Sequence, residues 1–461
     1  MGVRRAALPA GALRGAGVSA GGRPHRAIRG RRGDRRRELC ADRRRLHRAR
    51  ARHHAACLGG ARGALRGAGA DRRRVRAARP RCAREACIPR RRVQVSRPLV
   101  DIRLEALATR GGVPPGLTGI SVHIRYGEFF TFLGPPHSGK TDVLRAVAGF
   151  MTPSAGRVLV DGQDVAVLAP GARSIGYVFQ EGALWRHMSV HEHVAFGLEQ
   201  QGMRADDIAR RVETVLGRLG LAAVPDRRPP ELTLEQRRRL ALARALAPEP
   251  RVLLLDEPLA HLDPLTRKTL RFELAKLHRD LAVTTIHVTR DAADALALSD
   301  RLAVLHDGQV AQIGEPGEVY QHPRTRVVAE ALGSANFLPV RVVEVRDLGV
   351  VVETEAGHRV PVAGLGDYRE GSRGLLVLRP ELLSMTDAAM GRAPGLPGIV
   401  SLRIFEGARQ LYEVDIGSAM PVRVELPSQH EGRIFRVGER VRVELSSETV
   451  VLVPETREEP R

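Results

Sequence analysis

Between about residue 98 and residue 336, short apolar runs alternate with segments whose apolar residues recur at helical spacing. Residues 129–133 read FFTFL, and a Gly/Pro loop separates them from Val143, Leu144 and Val147, which predicts a strand, a loop and a helix in succession. Residues 252–255 are apolar throughout, which is typical of a strand buried on both faces. The alternation predicts an α/β fold with a mostly parallel sheet and helices on its faces.

Two further patterns complete this outline. An amphipathic helix is predicted over residues 206–219, because one stripe carries Ile208, Val212, Val215, Leu216 and Leu219. After about residue 337, the alternating segments 340–345, 422–426 and 441–445 are separated by Gly-containing turns, which predicts a small all-β domain over residues 337–457.

The first 95 residues have neither pattern, and they contain no Phe, Tyr or Trp. Such a segment cannot bury enough apolar surface to offset its chain entropy. A basic arm for nucleic acid or anionic lipid is one interpretation, since Arg runs such as 35–37 and 72–74 suit it. The favoured interpretation is a disordered tail or an extension that results from a wrongly assigned start codon.

Charge and cysteine content follow the same division. The whole chain carries +22, but residues 1–95 hold 29 Arg and 5 acids, or +24, so residues 96–461 sum to −2. The part predicted to fold therefore has no net charge that would attract nucleic acid. All four cysteines lie before residue 90, which excludes a disulfide scaffold or a zinc–cysteine site from the remainder. No stretch has the roughly 18 to 20 apolar residues that cross a bilayer.

The clearest chemical motif lies between the strand at 129–133 and the helix that follows. Residues 134–141 read GPPHSGKT, a match to GxxxxGK[ST]. In such a loop, backbone amides surround phosphate oxygens, a lysine reaches the β- and γ-phosphates, and a hydroxyl ligates Mg²⁺. The predicted ATP-binding residues are Gly134, Pro135, Pro136, His137, Ser138, Gly139, Lys140, Thr141 and Asp142.

Two acids follow the apolar run at 252–255. Asp256 is placed to hold hydrated Mg²⁺ at the strand end, and Glu257 to accept a proton from attacking water. Two solvated acids at a strand terminus are the alternative. Because they follow a phosphate loop, the pair favours a nucleotide hydrolase that uses ATP and Mg²⁺.

The order and spacing of several further motifs resemble the ATP-binding subunits of ATP-binding-cassette (ABC) importers over about residues 98–455. The landmarks are IGYVFQ at 175–180, RHMSV at 186–190, VAFGL at 194–198, ALARAL at 241–246, LLDEPL at 254–259 and LD at 262–263. The resemblance implies an ABC domain over 98–336, with a helical subdomain at about 183–250 that docks on the membrane subunits.

The same resemblance implies roles for individual residues. Gln180 would touch Mg²⁺ and sense the permease, with Thr141 and Asp256 completing the metal ligands. Glu257 would be the general base, and Asp263 the D-loop contact to the other subunit.

The C-terminal part resembles the oligonucleotide-binding-like regulatory domain of importers for polyamines, sulfate, iron and some sugars. The landmarks are GSANFL at 333–338 and LRPE at 378–381, and residues 398–443 look most like the spermidine/putrescine type. RHM at 186–188 also occurs in sulfate-type subunits. The substrate implied is a polyamine, with sulfate, iron or a sugar as alternatives.

The signature loop departs from the family pattern Leu-Ser-Gly-Gly-Gln. Its residues here are Leu232, Thr233, Leu234, Glu235 and Gln236, which would contact the ATP held by the other subunit. Leu234 adds bulk, and Glu235 places a carboxylate where a phosphate should approach. Opposed like charges in a partly dry site cost on the order of several kcal/mol, so closure around ATP should be weaker.

Further departures affect the switch histidine and the nucleotide loops. Arg290 stands in the histidine's position; it can contact a γ-phosphate but cannot shuttle a proton at neutral pH. His287 is a weaker candidate for the lost function. No aromatic residue lies near Gly111, where the family stacks one on adenine, and Pro136 with His137 restricts the phosphate loop.

The arginines at 237–239 of the signature helix admit two interpretations. Pairing with a phosphate or a permease is one of them, but an exposed charged face is the stronger expectation. The leading hypothesis overall is an ATPase subunit on the cytoplasmic face of the membrane. It would act as a homodimer with two permeases and a periplasmic or extracellular solute-binding protein, without nucleic acid. An ATP-binding regulatory subunit with little hydrolysis is the alternative.

Overall fold

The computed structural model describes residues 100–110, 116–363, 368–388, 395–428, 433–446 and 450–455. The predicted tail at 1–95 and the segment around Gly111 lie outside the described residues. Up to residue 335, described strands and helices alternate. The strands are β1 (Ile102–Ala108), β2 (Ile120–Ile124), β3 (Phe129–Leu133), β4 (Ala155–Val160), β5 (Gln163–Asp164), β6 (Ile175–Val178), β7 (Val252–Asp256), β8 (Thr284–Thr289), β9 (Arg301–His306) and β10 (Gln309–Gly314). The helices are α1 (Lys140–Ala148), α2 (Val190–Gln200), α3 (Ala205–Arg218), α4 (Leu234–Leu246), α5 (Pro264–Leu281), α6 (Ala292–Leu298), α7 (Pro316–Gln321) and α8 (Arg326–Ala331).

The central sheet has the order β10-β9-β3-β8-β7-β6, and all of its strands except β10 run parallel. Strands β3 and β7 are buried along their whole length, as their apolar runs predict. Since β7 and β3 both pair with β8, their carboxyl ends lie at one edge of the sheet. The loops after Leu133, Asp256 and Thr289 are thereby brought together at the place where parallel sheets bind ligands.

A second, antiparallel sheet of order β2-β1-β4-β5 packs beside the first. Apolar residues of β1, β2 and α1 form one core with the central strands. On the opposite side, α2, α3 and α4 share a core with β7. Helix α3 buries Ile208, Val212, Val215 and Leu216, so the helix predicted from the stripe at 206–219 is present with its end one residue earlier.

From Asn336 onward the described strands form two five-stranded antiparallel sheets. The strands are β11 (Asn336–Arg346), β12 (Gly349–Thr354), β13 (Arg359–Ala363), β14 (Arg373–Leu378), β15 (Ser384–Asp387), β16 (Gly395–Phe405), β17 (Arg409–Asp415), β18 (Val422–Pro427), β19 (Arg440–Glu444) and β20 (Val451–Pro454). The orders of the two sheets are β13-β12-β11-β14-β20 and β15-β19-β16-β17-β18, and one apolar core lies between the sheets. The fold class predicted from the sequence is therefore confirmed: a cassette of α/β type followed by an all-β part.

A buried arginine joins the all-β part to the cassette. The Arg379 guanidinium donates to the carbonyl oxygens of Gly333 and Ser334, both at 3.2 Å, and lies 4.4 Å from the ring centroid of Tyr320. Burial lowers the pKa of Arg379 to about 10. Across the described ranges, no helix combines the length and apolarity that a bilayer crossing needs.

Candidate functional site: a nucleotide site at the carboxyl ends of the central strands

The loop from β3 to α1 requires glycine at two positions. A Cβ on Gly134 would lie 2.2 Å from the carbonyl oxygen of Leu305, so no larger residue fits without a shift of the neighbouring strand. Gly139 has φ +91° and directly precedes Lys140, the first residue of α1. The first-turn amides of α1 have no intrahelical acceptor, so they are available to phosphate oxygens.

His137 occupies the middle of this loop in a left-handed conformation, with φ +64°. A residue with a Cβ pays roughly 1–2 kcal/mol for that conformation, and glycine does not. His137 therefore restricts the loop through local backbone strain at its own position.

The Lys140 ammonium group is folded back into the loop. Its Nζ donates to the carbonyl oxygen of Pro135 at 2.5 Å and to Oγ of Ser138 at 3.1 Å. Burial, opposed by Glu257 and Asp256 and reinforced by Arg290, lowers the pKa of Lys140 to about 8. Lysine is thus pre-positioned by oxygens that a nucleotide phosphate can replace.

Asp256 accepts hydrogen bonds from two hydroxyl groups. Thr141 Oγ1 donates to Oδ1 and the Tyr177 hydroxyl donates to Oδ2, both at 3.2 Å. Burial raises the pKa of the Asp256 carboxyl, and both hydrogen bonds act in the opposite direction. The sequence did not predict this role of Tyr177, which it gave only as part of the segment 175–180 that ends at Gln180.

The oxygen donors fit Mg²⁺. Mg²⁺ prefers oxygen ligands, and in nucleotide sites it takes one or two from the protein together with substrate phosphates. Thr141 and Asp256 are already within hydrogen-bond distance of each other, and Gln180 lies nearby through its contact with Glu257. No group of three or more His, Cys, Asp and Glu suited to a metal occurs within the described ranges.

Glu257 follows β7 with φ +44° and is the meeting point of two other candidate residues. Nε2 of Gln180 donates to its Oε2 at 3.4 Å, and Nε of Arg290 lies 2.9 Å from its Oε1. Arg290 forms an ion pair with Glu257, and the possibility that it contacts a γ-phosphate stays a prediction. Both residues line a cleft of about 200 Å³ together with Ala260, His261, Arg267, Thr289 and Asp291.

His287 does not replace the switch histidine. Its side chain is fully buried, its Nδ1 lies 3.1 Å from Oγ1 of Thr131, and its ring packs against Phe129. Burial lowers the pKa of His287 to about 3, so the ring is neutral at physiological pH. It belongs to the core of the central sheet and is absent from the cleft lining.

The signature residues form the start of α4. Thr233 caps the helix by accepting from the amide of Gln236 at 3.2 Å, and the Gln236 side chain accepts from the Thr233 amide at 3.0 Å. Leu234 is exposed. The Glu235 carboxylate is not free, because Arg239 donates to it at 2.8 Å and also binds Glu273.

The predicted D-loop residue Asp263 lies at the start of α5. It caps this helix by accepting from the amides of Leu265 and Thr266, at 3.1 and 3.0 Å.

One of the three arginines at 237–239 is buried. The expectation that these arginines form an exposed face is wrong for Arg238, which is 6% exposed. Its guanidinium turns inward to the carbonyl oxygens of Gln180 and Ala260, which a helical pattern of charges cannot reveal.

Two family models match this chain. The family model described as "ABC transporter" matches residues 117–260, and the model described as "TOBE domain" matches residues 376–453. The chain belongs to the ABC transporter family as an ATP-binding subunit, so the predicted resemblance, nucleotide binding and ATPase class are confirmed. Subunits of this family work as dimers with membrane permeases.

Among its relatives are three named spermidine/putrescine import ATP-binding proteins. The PotA protein of Ruegeria pomeroyi is 39% identical over 341 residues, which cover 73% of this chain and 92% of that protein. PotA 1 of Pseudomonas aeruginosa is 39% identical over 330 residues, 71% of this chain and 88% of that protein. PotA of Nitrosomonas europaea is 36% identical over 353 residues, 75% of this chain and 97% of that protein.

Proposed function

We propose that this chain hydrolyses ATP at the cytoplasmic face of the membrane and thereby energises the import of a polyamine through separate permeases. The observation that carries the proposal is the convergence of the Lys140 loop, the Thr141–Asp256 pair and the Gln180–Glu257 pair at one sheet edge. Three separate segments contribute to this edge: the loop after β3, the end of β7 and the turn at Gln180 after β6. The polyamine assignment is supported by the printed names of the relatives.

The residues divide the work by position. Residues 134–142 surround the phosphates, with Lys140 exchanging its contacts to Pro135 and Ser138 for phosphate oxygens. Thr141, Asp256 and Gln180 would hold Mg²⁺, which when bound neutralises charge on the β- and γ-phosphates. Glu257 accepts the proton of the attacking water, and Gln180 orients that water through its contact with Glu257.

A homodimer completes each site. Thr233, Leu234, Glu235 and Gln236 lie at the exposed start of α4, where a helix N-terminus can face the ATP of the second subunit. Asp263 would contact that subunit through the D-loop. The cassette would span residues 98–336, with residues from about 183 to 250 docking on two permeases, and residues 337–457 would form the regulatory domain. A solute-binding protein outside the membrane would deliver the substrate.

Uptake into vesicles tests the proposal. The chain is assembled with its permeases in liposomes that contain Mg²⁺ and ATP, and labelled spermidine is offered with the binding protein on the opposite side. We expect accumulation of spermidine that needs enclosed ATP. Accumulation of sulfate, iron or a sugar in place of spermidine would reject the polyamine assignment, and the absence of any ATP-dependent uptake would reject import.

A second function is favoured by one observation, the ion pair between Arg290 and Glu257. A guanidinium that occupies both oxygens of the base must be displaced before water can reach them, which suits an ATP-binding regulatory subunit with little hydrolysis. The same vesicles separate the two functions, because the regulatory subunit requires ATP binding for transport but releases no phosphate in step with uptake.

A further inference from the structure

Arg238 is a buried cation in the second turn of α4. Its Nη2 donates to the carbonyl oxygen of Ala260 at 3.2 Å, and its Nη1 donates to the carbonyl oxygen of Gln180. Its Nε is buried and has no hydrogen-bond partner among the described residues. Desolvation by burial lowers the pKa of this guanidinium, with Glu181 and Glu257 acting in the opposite direction. A buried charge whose only acceptors are neutral carbonyl oxygens lowers the stability of the fold. A contribution to stability therefore does not explain why Arg238 is buried here.

Both acceptor carbonyls belong to tight turns of the nucleotide site. The amide of Gly182 donates to the carbonyl oxygen of Phe179 at 2.8 Å, which closes a turn around Gln180. The amide of Ala260 donates to the carbonyl oxygen of Glu257 at 3.1 Å, which closes a turn that begins at the proposed base. A single planar guanidinium therefore spans the two turns with donors in fixed directions.

The side chains carried by these two turns meet in the site. Nε2 of Gln180 lies 3.4 Å from Oε2 of Glu257, a long contact that a small displacement of either turn would break. Arg244, six residues further along α4, donates to the carbonyl oxygens of Gly182 and Ala183 at 2.9 and 2.5 Å. The turn at Gln180 is thus held to α4 at two points, and the turn at Glu257 is linked to the same helix through Arg238.

We infer that Arg238 is a positioning residue that fixes the separation of Gln180 and Glu257 and couples both to movement of the signature helix. The inference rests on the proposed hydrolytic function. Arg238 is buried and its guanidinium donates to backbone carbonyls of the two turns, so its loss should change the rate of hydrolysis more than the binding of ATP.

Steady-state phosphate release by the transporter assembled with its permeases tests the inference in four chains: the parent, Arg238→Met, Arg238→Lys and the control Arg279→Met. Arg279 is an exposed arginine of α5 and lies outside the proposed site. For Arg238→Met we expect kcat to fall by about 10-fold or more with KM for ATP within about 3-fold, since small misplacement of reacting groups costs rate. Arg238→Lys keeps the charge but reaches one carbonyl, so an intermediate kcat is expected, and Arg279→Met should match the parent.

Several outcomes overturn the inference. An Arg238→Met chain with the parent kcat does so, as does a loss confined to KM or an equal loss in Arg279→Met. Thermal melting accompanies each assay; if Arg238→Met does not fold, Arg238→Lys decides, an intermediate kcat supporting the inference and a parent-like kcat overturning it. A parent no faster than Glu257→Gln overturns the proposed function together with the inference, whereas an active parent with an unaffected Arg238→Met overturns the inference alone.

Discussion

Nε of Arg290 lies 2.9 Å from Oε1 of Glu257 and 3.1 Å from Oε2, so one guanidinium nitrogen contacts both oxygens of the proposed base. The family resemblance of the sequence implies a histidine at the position where this chain carries Arg290. An arginine remains charged at every pH at which the protein functions, whereas a histidine can be neutral. Water must displace this guanidinium before it can contact Glu257.

Replacing Arg290 with His should increase hydrolysis. The Arg290 side chain is 43% exposed, so the ion pair contributes no more than roughly 1 kcal/mol. Its removal should raise kcat by about 5-fold, because each 1.4 kcal/mol corresponds to tenfold in rate. Phosphate release under saturating Mg²⁺ and ATP is the measurement, with the exposed Arg279→His as control. A fall in kcat to background would instead show that Arg290 is required at the γ-phosphate.

Lys140 should make ATP binding sensitive to pH in the mildly alkaline range. Burial lowers the pKa of its ammonium to about 8; Glu257 and Asp256 act to raise the pKa, and Arg290 acts to lower it. The positive charge of Lys140 is therefore present below pH 8 and is lost above it. Bound phosphates favour the charged form, and ATP binding should therefore take up a proton near pH 8 and weaken by up to about tenfold per pH unit above it. Titration calorimetry in buffers of different ionisation enthalpy measures that uptake.

The control for Lys140 is Lys140→Arg, which keeps a charge that does not titrate in this range. Between pH 7 and pH 9, the ATP affinity of this variant should change little compared with the change seen in the parent chain. Equal pH profiles for the two chains would remove Lys140 as the titrating group.

The left-handed His137 predicts a stability gain on substitution by glycine. Release of the strain at φ +64° stabilises the fold by roughly 1–2 kcal/mol. The greater conformational freedom of glycine in the unfolded chain offsets about 0.5–1 kcal/mol of this gain. We expect His137→Gly to raise the free energy of unfolding by up to about 1 kcal/mol, measured by urea denaturation. His137→Ala removes the imidazole and keeps the Cβ, so it should show no gain; a gain in both variants would assign the effect to the ring.

The signature loop allows bulk and charge to be tested separately. Glu235 is paired with Arg239, which offsets part of the repulsion expected from its sequence position, while Leu234 is 42% exposed with no such compensation. Leu234→Gly should therefore strengthen ATP-dependent dimerisation more than Glu235→Gln does. Light scattering with Mg²⁺ and ATP in a Glu257→Gln background gives the dimer fraction, and the opposite order would mean that charge dominates.

Local patterns were sufficient for much of this molecule. The strand at 129–133, the helix at 206–219 and the phosphate loop are set by neighbouring residues, and each is present in the structure. Contacts between distant segments could not be predicted in the same way. The burial of Arg238 depends on carbonyls at positions 180 and 260, and the Arg290–Glu257 pair depends on the parallel register of β7 and β8.

The Glu235–Arg239 pair shows an intermediate case. Residues 235 and 239 are four apart on a helix, so the sequence contains the signal for an ion pair that would partly neutralise the carboxylate. The second partner, Glu273, comes from α5 and has no such signal in the sequence.

The central claim is that Glu257 is the base of an ATP hydrolase that powers import, and phosphate release by the assembled transporter tests it most directly. Parent and Glu257→Gln chains are compared at saturating Mg²⁺ and ATP, with ATP binding measured in both. We predict equal binding within about 3-fold and a fall in kcat of about 10² or more in the variant. Equal phosphate release by the two chains, at any level, would contradict the claim.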